Sequence, residues 1–165
     1  MPSNILLISI KPKYANKIFE GSKTVELRRV RPRLKEDDIV IVYASCPEKA
    51  LVGWFEVEKI IKGHPNQLWN KVESKAGINR KAFDTYYQGA SLGYGIVLKR
   101  SFSFDKPIDL AIIKEQWSEF RPPQSYHYLK PTELYILESL AECKIGDLTE
   151  EARLERFSQL ALLEH

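Results

Sequence analysis

The first thirty residues constrain this chain more than any other stretch. Asn4 to Ile10 (NILLISI) is a short apolar run rich in β-formers, which predicts a buried strand. Pro12 suits the first turn of a following helix, because the N–H it lacks is one that a helix start leaves unpaired anyway. Ala15, Ile18 and Phe19 fall on one side of that helix, which is expected to run to about Glu20. Gly21 supplies a left-handed stop. A second strand is predicted from about Lys23 to Val30, and Arg31-Pro32-Arg33 breaks it, since proline cannot donate to a sheet ladder.

That second strand carries a cation, a carboxylate and a guanidinium in the order Lys23, Glu26, Arg28. Side chains alternate along a strand, so Glu26 and Arg28 project from one face while Val25 and Leu27 project from the other. The apolar face can enter a core while the polar face lines a groove. Strict alternation would put Lys23 with Val25 and Leu27. Either Lys23 lies at the strand's entrance, where the pleat is not yet regular, or it is a solvated surface lysine.

Asp38 to Ala44 reads as a central strand, Ser45 to Lys49 as a turn, and Leu51 to Ile61 as a long strand. Gly53 inside that strand marks a bulge or a barrel bend. Helices are expected over His64 to Ala76 and Arg80 to Gln88, and a strand begins at Gly93 and extends to about Phe104. Beyond Pro107 comes a mixed stretch, then a rigid polar loop at Arg121-Pro122-Pro123-Gln124-Ser125-Tyr126. A short helix is predicted over Pro131 to Leu140. A final amphipathic one starts near Thr149, with Leu154, Phe157, Leu160 and Ala161 in one stripe. Short strands with inserted helices predict an α+β fold, a small mixed barrel with helices packed around it, instead of a βαβ array.

At 165 residues, the chain has room for one well-packed domain. We expect a main domain over residues 1–140 and a C-terminal extension over 141–165 that carries the amphipathic helix. Leu163-Glu164-His165 resembles the start of a purification tag and is set aside. No apolar run reaches the length of a membrane span, and the start has no charged leader, so a cytoplasmic monomer is expected. Cys46 and Cys143 form neither a CxxC nor a Cys/His cluster, which predicts reduced thiols and no metal. The net charge of +3 permits an anionic partner without the signature of an architectural DNA binder. No cofactor is expected.

The arrangement of Gly21, Lys23, Glu26 and Arg28 resembles the Gly-x-Lys-x-x-Glu-x-Arg hallmark of the ASCH domain, a branch of the PUA-like β-barrel superfamily. The resemblance continues through Val52-Gly53-Trp54-Phe55-Glu56-Val57, Gly93-Tyr94-Gly95-Ile96 and Pro122-Pro123-Gln124-Ser125-Tyr126, covering roughly Asn4 to Leu140. It implies a PUA-like fold and a cleft that binds RNA or a nucleotide, with a modified base or a role in transcription or translation among the possibilities. The alternative is a small hydrolase, a ribonuclease or nucleoside amidohydrolase, using the same cleft. Some relatives resemble amidohydrolases that act on acylated cytidine through a lysine, a threonine and a glutamate. Their threonine stands three residues after the lysine, where this chain has Glu26, and alternation points Thr24 to the face opposite Lys23. A ribonuclease would draw its base and charge clamp from Glu26, Lys23 and Arg28.

The residue chemistry names the candidates. Arg28 can fork onto a phosphate or a guanine edge, Glu26 can accept from an exocyclic amine, and Lys23 offers a movable cation or an amine that turns catalytic if desolvated. Tyr43, Trp54 and Tyr94 are stacking candidates or core aromatics. Arg29 continues the basic run Arg31, Arg33 and Lys35, read either as a solvated face or as a phosphate-tracking rim. Ser45, Arg121, Ser125 and Tyr126 complete the set as polar contacts. His64 is expected to be structural, and His127 is the histidine nearest the suspected site.

Overall fold

The computed structural model describes residues 4–146. The final helix near Thr149 and the residues set aside as a tag remnant lie outside them. The opening is as expected: β1 (Ile5–Ile10), α1 (Pro12–Glu20), then Gly21 with φ of 91°, a conformation an L side chain rarely adopts. The second strand is shorter than predicted, β2 (Val25–Arg28), because the Thr24 and Val25 N–H groups both donate to the Lys75 carbonyl instead of to a sheet neighbour. β3 (Ile39–Ala44) and β4 (Ala50–Gly63) follow, then α2 (Pro65–Val72) and α3 (Arg80–Tyr86). His64 caps α2 by accepting the Asn66 N–H, the structural role expected of it.

β5 (Gly93–Asp109) outlasts its predicted end at Phe104. It pairs with β4 at Gly53↔Ser103 and again at Leu51↔Ile108, so the intervening residues bulge out of the ladder. Pro107 sits in that bulge, where no donor is required. The mixed stretch beyond it holds α4 (Leu110–Gln116), and β6 (Tyr126–Tyr128) begins at the last residue of the polar loop. α5 (Pro131–Ala141) closes the described chain.

The six strands form one sheet in the order β2-β5-β4-β3-β1-β6, parallel at β1/β3 and antiparallel elsewhere. Register shifts in β4 curl it into a half-barrel of the PUA-like type, with the helices around it. β3 lies at its centre and is buried throughout. Its alternate residues serve two cores: Ile39, Ile41 and Tyr43 pack toward α4 and α5, and Val40, Val42 and Ala44 pack toward α1. A third cluster joins Val25 and Leu27 of β2 to Leu68, Val72 and Phe83 of α2 and α3. Gly53 is the close approach that lets α1 lie on the sheet, since a Cβ there would fall 2.7 Å from the Phe19 ring and 2.4 Å from the Phe102 carbonyl.

Candidate functional site

β2 presents its apolar face to α2 and α3, which leaves Glu26 and Arg28 on the side facing a cavity of about 1060 Å³. α3 forms one bank of this cavity. The other is built by the N-terminal end of α1, the β3–β4 turn and the loop at Pro122-Pro123-Gln124. The Ser9 hydroxyl ties that loop down by donating to the Pro123 carbonyl at 2.6 Å.

Lys23 reaches the same floor as Glu26 because it precedes the regular pleat. Its backbone N–H donates to the Lys17 carbonyl, and its ammonium lies 3.7 Å from Glu26 Oε2 while donating to the Ala76 carbonyl at 2.6 Å. On the other side of the carboxylate, Arg28 Nε lies 3.9 Å from Glu26 Oε1, and Arg28 Nη2 donates to the Ser9 carbonyl at 3.2 Å. Glu26 thus sits between two cations without a close hydrogen bond to either, and neither its Oε2 nor Arg28 Nε has a hydrogen-bond partner among the described residues. Burial pushes the Lys23 amine below its ordinary range; Glu26 opposes that shift, while Arg28 and Lys17 add to it.

Of the residues singled out from sequence, Lys23, Glu26, Arg28, Tyr43 and Ser45 line the cavity. The other candidates are not among its lining residues. Arg29 turns outward and donates to the Tyr86 and Gln88 carbonyls, fastening the end of α3. Trp54 is a core residue stacked on Phe102 with ring centroids 4.4 Å apart. Tyr94 lies opposite Arg28 in the β2/β5 ladder and offers its carbonyl to the Tyr87 hydroxyl. The loop sends its prolines to the cavity and leaves Arg121 and Ser125 exposed, while Tyr126 packs edge-on against Tyr128 in β6. His127 pairs with Glu133 at 3.1 Å. In the basic run, the Arg33 N–H bonds the Tyr128 hydroxyl and its guanidinium covers that ring, away from the cavity.

Sequence reasoning missed the aromatic walls. Tyr14 lies beneath the Lys13 and Lys23 ammonium groups at 4.9 and 5.4 Å. Tyr86 faces the cavity from α3 and donates its hydroxyl to the Leu27 carbonyl; burial raises its pKa. It also missed Lys11, Lys13, Lys49 and Lys81. Together with Lys23 and Arg28 they set six cations against the single carboxylate of Glu26 among the described lining residues. The signal was present in Lys11-Pro12-Lys13-Tyr14, where a helix begins with lysines in place of the usual acids.

The pattern that defines the ASCH domain matches residues 8–136. The chain belongs to the ASCH domain family. The ASCH domain-containing ribonuclease of Zymomonas mobilis is 33% identical over 134 residues, 81% of this chain and 90% of that protein. The crystal structure of ASCH from Zymomonas mobilis has a TM-score of 0.78 at 32% identity, covering 82% of this chain and 94% of its own. Human THYN1, solved with DNA containing 5-methylcytosine, shares the fold at a TM-score of 0.53 and 14% identity, over 85% of this chain and 98% of its own. No group of three or more His, Cys, Asp or Glu side chains among the described residues could hold a metal ion.

Proposed function

We propose that this ASCH domain binds single-stranded RNA, taking an unpaired base into the cavity while the backbone stays at its rim. The observation that carries this reading is the division of charge: a lone, nearly buried carboxylate at the floor and four lysines, Lys11, Lys13, Lys49 and Lys81, around it. A phosphate at the floor would lie beside the Glu26 carboxylate as well as the two cations, and gains less there than a base edge does. A base edge offers that carboxylate an N–H and offers Arg28 an acceptor. Tyr86 supplies a ring face, with Tyr14 beneath the Lys13 and Lys23 ammonium groups, and base–aromatic stacking contributes about 1–3 kcal/mol per base. The cavity has room for a substituted base, which keeps a modified nucleotide within this reading. We take the protein as a cytoplasmic monomer.

The test is binding of a labelled uridine-rich hexamer by the purified protein and by Glu26→Gln and Arg28→Lys. Each variant should bind about tenfold more weakly, the loss of one charge-assisted hydrogen bond. Binding equal to the native protein in both variants would rule out the floor as the contact.

A second reading, RNA cleavage, is favoured by the relative named a ribonuclease and by the desolvated Lys23 amine. Glu26 would take the proton of a 2′-hydroxyl as its oxygen bonds the adjacent phosphorus. Arg28 would hold the developing charge, and the ammonium of Lys23 would protonate the departing 5′-oxygen as the P–O5′ bond breaks. Cleavage of an RNA hexamer with a 2′,3′-cyclic phosphate product, and no cleavage of its 2′-deoxy counterpart, is the expected result. An intact RNA would leave the binding role alone.

A further inference from the structure

The N-terminal end of α1 opens onto the cavity with its positive pole uncompensated. The helix has no side-chain cap, no acid in its first turn and lysines at positions 11 and 13, against the preference of a helix dipole. Pro12 has no N–H, and the Tyr14 and Ala15 N–H groups return to the Lys11 carbonyl. Among the described residues the Lys13 N–H has no acceptor, which leaves it to one from outside the helix. Such an arrangement costs local stability unless an anion completes it.

A second observation in the same cavity points to a ligand independently. Glu26 lines the cavity and is only 8% exposed, yet no described residue hydrogen-bonds its carboxylate closely and its nearest cation is 3.7 Å away. That carboxylate needs a donor. The helix end needs an acceptor carrying negative charge. One molecule that supplies both is a nucleotide, with N–H groups on its base and a phosphate beside its sugar.

From this pairing we infer a phosphate subsite formed by the Lys13 backbone N–H and the side chains of Lys11, Lys13 and Lys49, filled by the phosphate next to the base that meets Glu26. The inference rests on the RNA-binding reading and adds a requirement to it: a nucleoside alone engages half the site. The same subsite accepts a free phosphate ion, which shares the chemistry without the base.

The experiment follows backbone amide signals of the ¹⁵N-labelled full chain by NMR, first with a uridine hexamer and then, separately, with inorganic phosphate. Binding of the hexamer is also measured for the Lys11→Gln/Lys13→Gln double variant, with Lys62→Gln on the far end of β4 as a control. The hexamer should shift the Lys13 amide, and the double variant should bind it about tenfold more weakly, with the control unchanged. A hexamer that binds without moving the Lys13 amide, and binds the double variant within about twofold, overturns the subsite and leaves the RNA reading standing. If the hexamer does not bind at all, the RNA reading falls and the phosphate titration decides. A shift at Lys13 that disappears in the double variant upholds the anion site, and no shift overturns it.

Discussion

Lys23 shows how one residue's position relative to a strand decides its chemistry. Two residues further along, in regular β2, its side chain would join Val25 and Leu27 under α2 and α3. Just before the pleat begins, it reaches the Ala76 carbonyl and Glu26 instead. Burial depresses its pKa, so the unfolded chain holds more protons than the folded one between the depressed value and the ordinary 10.5. The cost of burying the charge is therefore fully present at low pH and fades as pH rises through that window. The native protein should gain stability relative to Lys23→Met as pH rises toward the ordinary lysine value of 10.5, read from urea unfolding at each pH. Parallel curves for the two proteins would mean that the amine is not desolvated. Sequence alone left Lys23 between two faces, because alternation holds only inside a regular strand and the residue that interrupts it, Lys75, is more than fifty positions away.

At the scale of elements, the legible ones had local signals. α1 announced itself through Pro12 and Gly21, and β3 through an uninterrupted run of β-formers. α4 and β6 did not. β6 is three residues long, too short for alternation to register, and exists because β1 offers a free edge on which Leu7 lies opposite His127. The stacking role entertained for Trp54 failed for a related reason: which face of β4 is core depends on the distant Phe102. Gly53 was legible as a special position, although its purpose was not. It makes room for the Phe102 carbonyl and the Phe19 ring, so Gly53→Ala should destabilise the fold by about 1–3 kcal/mol, the usual cost of overpacking. Equilibrium denaturation would check this, and the loss should be partly recovered when Phe19 is also replaced by leucine.

The whole molecule concentrates positive charge where its net charge gives little hint of it. A surplus of +3 over the chain is small, but among the described lining residues six cations share one cavity with a single carboxylate. Affinity for single-stranded RNA should consequently depend on salt. If three rim lysines each neutralise one phosphate, log K should fall against log salt with a slope of roughly −2. A titration at several salt concentrations would measure it, and a flat line would place the backbone elsewhere.

The segment between α2 and α3 is stitched at three successive carbonyls, two of them to the start of β2 and the third to α1. Lys75 receives two N–H groups from the start of β2, Ala76 receives the Lys23 ammonium, and Gly77 receives that of Lys17 at 2.8 Å. Floor and α3 bank consequently form a single rigid jaw. Any widening that admits a guest falls to the loop at Pro122-Pro123-Gln124, where a serine hydroxyl on one proline carbonyl is the latch.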